Sequence, residues 1–324
     1  MGKTVLVTGA AGFIGSHTAE ALARRGDTVV GLDNFDPYYD PRQKRDNVQA
    51  VRAAVGDGLF SLVEGDVRDR ELVQRLFSEH AFDAIVHLAA LANVRYSIGK
   101  AEQYFDVNLT GTIHLLDAAV AHGSPNFVFA STSSVYGATE RLPFTEDDPC
   151  DRPLAPYPAS KRACEMLGYS YHSAHGLDFT ALRFFTVYGP RNRPDMMAYK
   201  LLQSVVEGTP VTLFARGQLK RDWTFVGDIA AGIVAAVDRR PGYEVLNLGR
   251  GEPVLLADFV EVAEKLAGGR ANIEDAPRPA ADVPATYANI QRARERLGYE
   301  PQTSVKDGMA RVWEWYQRTR RQGD

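Results

Sequence analysis

"VTGAAGFIGSH", residues 7–17, decides the fold. The apolar run Thr4–Thr8 leads into it as a short buried strand, and Ile14–Arg25 leaves it as an amphipathic helix. Three glycines stand at the join. Gly9 permits a tight turn out of the strand, and Gly12 lets backbone amides approach a pyrophosphate at the positive end of the helix. Gly15 removes a side chain where helix meets strand. A glycine triplet alone is a weak signal. Here Asp33 answers it eighteen residues after Gly15, at the end of the second strand candidate, Thr28–Leu32. A carboxylate at that place accepts from an adenosine 2′-hydroxyl and repels a 2′-phosphate, so the expected cofactor is NAD and not NADP. Taken alone, Asp33 would read as a cap for the turn in "DNFDPYYD". Phe13 and Ile14 in the turn, Asp66 and Val67 in "EGDVRD", and Leu88, Ala89 and Ala90 in "HLAAL" complete the expected cofactor lining.

Outward from this stretch the chain alternates apolar strands with helical patterns. Further strands are expected at Phe60–Glu64, Ala84–Leu88, Asn126–Ser131 and Phe179–Phe184, with helices near Arg70–Glu79, Glu102–His122 and Tyr157–Ala174. Near-continuous apolar strands separated by helices imply an α/β fold, a Rossmann-type doubly wound parallel sheet covered on both faces. Residues 1–185 are expected to form the NAD-binding domain, with roughly 221–250 returning to it. Residues 186–324, punctuated by Pro and Gly, form mainly a smaller C-terminal substrate-binding lobe. A last amphipathic helix near Val305–Arg321 carries Trp313, Trp315 and Tyr316, which read as packing anchors.

The composition excludes several classes. A net charge of −4 without a basic block argues against nucleic acid as a partner. No apolar stretch approaches the ~20 residues of a membrane span, and the N-terminus is too strand-like for a signal peptide. Two cysteines, Cys150 and Cys164, lack metal-type spacing, and no metal is expected. His172 and His175 lie three apart but have no acidic or cysteine partner nearby, so they read as a solvated helix face. The protein is expected to be cytoplasmic.

"YPASK", residues 157–161, places Tyr157 and Lys161 four apart at a helix start, on one face. Free tyrosine ionises near pH 10. A neighbouring ammonium and an oxidised nicotinamide stabilise the phenolate and make it a usable base.

Glycine spacing, the Asp66 strand end and "YPASK" together resemble the extended short-chain dehydrogenase/reductase superfamily over essentially the whole chain. The resemblance implies a catalytic Ser or Thr 25 residues before the tyrosine, which is Thr132. It implies that Thr132 orients the reacting hydroxyl, Tyr157 moves its proton, and Lys161 tunes Tyr157 and holds the nicotinamide ribose. Relatives that eliminate water or carbon dioxide carry acids directly after that position. This chain reads "TSSVYG" there, residues 132–137, with Ser133 and Ser134 in place of acids. Oxidation and reduction at one carbon remain, with hydroxyls left to bind a sugar.

"GLDNFDPYYD", "STSSVYG" and "FFTVYGPRNRPDM" are most similar to the UDP-glucuronate 4-epimerases. That similarity implies a UDP-sugar substrate read by Ser133, Ser134, Tyr157, Thr186 and Arg193, with Phe185 near the nicotinamide. It also implies Arg221 on the diphosphate, Arg278 and Asp282 closing over the nucleotide, and a homodimer. The dimer is expected to pair the helices near Glu102–His122 and Tyr157–Ala174 through Ile113, Leu116, Met166 and Leu167. A UDP-glucose or UDP-N-acetylglucosamine 4-epimerase is the alternative. A non-catalytic NAD(H) sensor on the same fold would be expected to lack Tyr157 or Lys161, and both are present.

Overall fold

The computed structural model describes residues 2–56, 58–123, 125–279 and 282–323. In chain order the elements are β1 Thr4–Thr8, α1 Phe13–Arg24, β2 Thr28–Asp33, α2 Pro41–Val55, β3 Phe60–Glu64, α3 Arg70–Glu79, β4 Ala84–His87, α4 Ala101–Phe105, α5 Gly111–Ala121, β5 Asn126–Thr132, α6 Pro156–His175 and β6 Phe179–Phe184. They continue as β7 Thr186–Tyr188, α7 Met197–Glu207, β8 Val211–Phe214, β9 Lys220–Phe225, α8 Val226–Val237, β10 Tyr243–Leu248, β11 Pro253–Leu255, α9 Leu256–Ala267, β12 Ile273–Ala276, α10 Gln291–Leu297 and α11 Val305–Gly323.

Seven parallel strands form one sheet in the order β10-β6-β5-β4-β1-β2-β3. Strand order reverses between β1 and β4, which creates a crevice at their carboxyl ends where a doubly wound sheet takes its ligand. Each face is covered by its own apolar cluster. Val5, Val7, Leu22, Val29 and Ile233 pack on one side; Leu6, Leu76, Leu115, Phe127 and Phe179 pack on the other. Alternation along β1 explains this split, since successive side chains point to opposite faces.

Beyond β6 the chain builds two small sheets, β11-β9-β7 and β12-β8. The stretch 221–250 therefore divides. β9 lies in the three-stranded sheet, whereas β10 lies at the edge of the large one. In α11, Trp313 stacks on Tyr316 and Trp315 meets Tyr199, so these aromatics pack the small lobe.

Within residues 1–185, two helices differ from the sequence pattern. α2 was not apparent, because its inward face carries Lys44 and Asn47 beside Val48 and Val51. Its start signal is local: the Asp40 carboxylate accepts from the Arg42 amide at 2.9 Å, with Pro41 in the first turn. The single helix expected over Glu102–His122 is broken by a π-helical turn at Asp106–Thr110. Asn108, 1% exposed, reaches out there to bond Leu91 N at 2.8 Å, Leu91 O at 3.1 Å and Ser160 Oγ at 2.9 Å. Those contacts pin the loop after β4 to α6, and no helical periodicity encodes them.

α6 is fixed to the sheet by a buried carboxylate. Glu165, fully buried, accepts from Ser131 Oγ on β5 at 2.5 Å, from Arg183 on β6 at 3.0 and 2.9 Å, and from Arg162 at 2.9 Å. These donors hold its pKa below the usual range in spite of burial. Removing one partner of such a pair strands a buried charge. Glu165→Ala is expected to lower unfolding stability by about 3–5 kcal/mol in denaturant titration. A loss under about 1 kcal/mol would show that the pair contributes little net stability.

Candidate active site

One cavity opens at the carboxyl ends of β1, β2, β4 and β5. Gly9, Gly12, Phe13, Ile14, Gly15, Asp33, Asp66, Val67, Leu88, Ala89, Ala90, Tyr157 and Lys161 all line it. Gly9 has φ +69°, and a Cβ there would lie 2.8 Å from the Ala89 amide nitrogen. A Cβ on Gly15 would stand 1.9 Å from the Gly9 carbonyl oxygen. Gly12 caps α1 without any side-chain hydrogen bond, so no side chain competes for the first amides of the helix. This cradle fits a pyrophosphate.

Asp33 combines both readings of its sequence position. Its carboxylate accepts from Ala11 N at 3.0 Å and from Phe35 N at 2.9 Å, tying the glycine turn to the loop after β2. Burial pushes its pKa up, with the charge of Lys44 at 4.0 Å acting in the other direction. Lys44 itself is buried, donates to the Asp36 carbonyl at 2.9 Å, and lies 5.0 Å over the Tyr39 ring. Sequence reasoning missed it along with its helix. Asp66 is held to about 2 by hydrogen bonds from Arg68, aided by Asn34 at 2.8 Å.

Tyr157 and Lys161 share one face in the first turns of α6. The Tyr157 amide donates to Ser97 Oγ at 3.1 Å, and Tyr104 meets the phenol ring edge-on at 6.2 Å. Burial raises the Tyr157 pKa; its hydrogen bond with Thr132 and the charge of Arg193 act against that rise. Sequence spacing points instead to Lys161 and a bound nicotinamide for this role. Lys161, 2% exposed, has its Nζ 4.0 Å over the Phe129 ring. Burial pulls its pKa down to about 8, against the opposing charges of Cys164 and Glu165.

A second cavity receives Ser133, Ser134, Thr186, Arg221 and Asp282. Thr132 stands between the two, bonded to Tyr157 on one side and accepting from Ser134 N at 3.1 Å on the other. Asp282 accepts from Arg95 at 2.6 Å and lies 3.8 Å from Arg221.

Arg193, Arg278 and Phe185 take places that spacing along the chain does not fix. Arg193 lines the first cavity on the side of the reacting Tyr157, where Asp195 holds it at 2.9 and 3.1 Å. Arg278 is exposed, lines neither cavity, and donates to the Asp282 main-chain carbonyl. Phe185 packs on Tyr136 and Phe144, while Phe184 faces the cofactor cavity, since neighbouring side chains on an extended chain point oppositely. Among the described residues no group of three His, Cys, Asp or Glu side chains could hold a metal ion, and no helix is long and apolar enough to cross a membrane.

Comparison with known proteins bears directly on these cavities. Residues 5–249 match the NAD dependent epimerase/dehydratase family. The chain is 40% identical over 333 residues to UDP-glucuronate 4-epimerase 1 of Arabidopsis thaliana, covering 97% of this chain and 77% of that one. It is 38% identical over 311 residues to the UDP-glucuronate 4-epimerase of Thermodesulfobacterium geofontis, covering 96% and 95%. Its structure is similar to that of the Bacillus cereus UDP-glucuronic acid 4-epimerase in complex with UDP-glucuronic acid and NAD. The TM-score is 0.90 at 34% identity, over 98% of this chain and 99% of that one.

The buried ammonium of Lys161 has a measurable consequence. Between about 8 and the ordinary lysine value, the unfolded chain binds more protons than the folded one, so stability rises with pH across that window. Below about 8 the folded protein bears the whole cost of burying the charge. Lys161→Met is expected to abolish turnover, gain roughly 1–3 kcal/mol at neutral pH, and flatten the alkaline rise. Denaturant titrations at neutral and alkaline pH check this, and an unchanged pH slope would refute it.

Proposed function

We infer that this chain, which belongs to the NAD dependent epimerase/dehydratase family, is an NAD-dependent isomerase that interconverts UDP-glucuronate and UDP-galacturonate by inverting C4. One observation carries the choice of epimerisation over elimination. Ser133 and Ser134 line the sugar cavity where an eliminating enzyme needs acids, and among the described residues its one lining carboxylate, Asp282, is already engaged by Arg95.

NAD held in the first cavity would supply reversible hydride acceptance at C4 of the sugar. The chain supplies the rest. Tyr157 removes the 4-hydroxyl proton and later returns it, while Thr132 orients the reacting hydroxyl. Lys161 would hold the nicotinamide ribose, Asp33 the adenosine ribose, and the amides at the start of α1 the pyrophosphate. Arg221 offers a planar fork to the sugar diphosphate. Ser133, Ser134 and Thr186 donate to the substrate carboxylate and keep it turned away from the π system of a ketone at C4. That orientation opposes loss of carbon dioxide. Short neutral donors also bind either sugar orientation without fixing one too strongly.

We place the enzyme in the cytoplasm as a homodimer formed through α5 and α6. On α6, Met166 is 56% and Tyr169 57% exposed, an apolar pair on adjacent turns that suits a partner helix. Ile113 and Leu167 are half-buried and can join it. Leu116 cannot, because it is fully buried inside the protomer.

Three measurements test the reading. NMR of parallel reactions is expected to show UDP-glucuronate and UDP-galacturonate interconverting with little decarboxylated product. Good turnover of UDP-glucose or UDP-N-acetylglucosamine without the acid would favour a neutral-sugar epimerase. Tyr157→Phe is expected to keep fold and NAD while losing at least ~10²–10⁴-fold in rate. Ser133→Ala and Thr186→Ala are expected to cost more on the acid than on UDP-glucose, because unpaired polar partners penalise the sugar they were built for.

A further inference from the structure

Arg193, whose charge acts on the reacting tyrosine, is held by a network drawn from three separate segments of the chain. Asp195 accepts from Arg193 Nε at 2.9 Å and Arg193 Nη2 at 3.1 Å. Its Oδ2 also accepts from the Tyr38 hydroxyl at 3.0 Å and from Asn93 Nδ2 at 3.2 Å, and Asn93 in turn donates to Tyr38 at 2.7 Å. Four donors therefore converge on one carboxylate. Tyr104 donates to the Asn93 carbonyl at 3.1 Å, and the Arg193 guanidinium lies 5.7 Å over the Tyr38 ring.

The segment that bears Arg193 is also anchored. Pro190 O bonds His17 of α1 at 2.9 Å, and Asn192 O accepts from Gln43 of α2 at 2.8 Å. Arg191, at φ +62°, pairs with Glu20 of α1 at 2.6 Å. Arg193 thus hangs from the two helices beside the cofactor cavity, although it follows β7 in the chain.

We infer that Asp195, braced by Tyr38 and Asn93, is a positioning residue that aims Arg193 at the carboxylate of the sugar. The inference rests on the proposed UDP-glucuronate substrate. Asp195 occupies only the Nε and Nη2 side of the guanidinium, and among the described residues Arg193 makes no other hydrogen bond. The Nη1 and Nη2 edge is left as a second planar fork, matched to a carboxylate and mismatched to a hydroxymethyl group. Because four donors already fix the pair, little rotamer freedom is lost when the sugar binds. Tyr38 sits on the loop after β2, the same loop whose start Asp33 ties to the glycine turn. The fork is therefore registered to the cofactor site.

The test uses NAD-loaded protein carrying Tyr157→Phe, so that binding is measured without turnover. Calorimetry compares UDP-glucuronate with UDP-glucose, and bound NAD is quantified for every variant. Asp195→Asn is expected to weaken UDP-glucuronate roughly 5–20-fold and UDP-glucose less than about twofold. Tyr38→Phe, which changes no charge, is expected to act in the same direction by roughly 2–5-fold. In an Arg193→Gln background, Asp195→Asn is expected to add nothing further. Equal losses on both sugars, or an Asp195 effect that persists without Arg193, would overturn the inference. If Asp195→Asn melts too low to load NAD, Tyr38→Phe with and without Arg193→Gln completes the same cycle and decides it. A parent protein with no preference for the acid sugar overturns the substrate reading as well. A parent that prefers the acid while Asp195 and Tyr38 variants keep that preference overturns this inference alone.

Discussion

The buried carboxylate of Glu165 is the constraint from which the catalytic geometry follows. Its donors come from β5, β6 and α6 itself, and no water is needed to satisfy it. Stripping a carboxylate and a guanidinium of water is costly, and the hydrogen bonds that converge on Glu165 offset that cost, although Arg183 Nη1 has no hydrogen-bond partner among the described residues. The arrangement therefore tolerates one geometry. In that geometry Ser131 lies beside Thr132 on the strand tip, and Lys161 lies one turn before Glu165 on the same helix face. The same negative charge also helps to keep the Lys161 ammonium protonated against burial. One side chain thus bears on both the placement of the strand tip and the charge of Lys161.

The hydroxyl run at the end of β5 divides its labour accordingly. Ser131 is committed to Glu165, and Thr132 to Tyr157. Ser133 and Ser134 continue into the second cavity. Extended residues point to alternate sides and the short 3₁₀ turn Ser133–Tyr136 bends the chain, so adjacent residues face the buried carboxylate, the tyrosine and the second cavity in turn. Acids here would act in elimination. Neutral hydroxyls offer hydrogen bonds to that cavity without a carboxylic acid's proton.

Local chemistry made much of this legible. The strands β1 and β6 stand where the apolar runs place them, because a parallel strand covered on both faces is mostly apolar, and the edge strand β3 matches its run although Ser61 and Glu64 are exposed. The glycine turn is likewise local, since a positive φ and the lack of room for a Cβ act within a few residues. Tyr157 and Lys161 share a face because four residues make about one helical turn. The π-helical turn at Asn108 was illegible because its cause lies across space, in Leu91 and Ser160. α2 was hidden by a buried lysine and asparagine whose partners are Asp36 and Ala11.

Sequence alone determined the sheet, the glycine cradle, Asp33 at its edge, the Tyr157 and Lys161 pair, and hydroxyls where acids would stand. Each depends on backbone conformation or on spacing within one element. Tertiary structure alone decided that Glu165 anchors α6, that Arg193 joins the cofactor cavity, that Arg278 stays outside, and that Leu116 is core. Those outcomes depend on which distant groups satisfy a buried charge or fill a buried surface. Asp195 holds Arg193 only because Tyr38 and Asn93 arrive from elsewhere in the chain to complete the carboxylate's hydrogen bonds. A long flexible cation has no preferred direction until such partners exist.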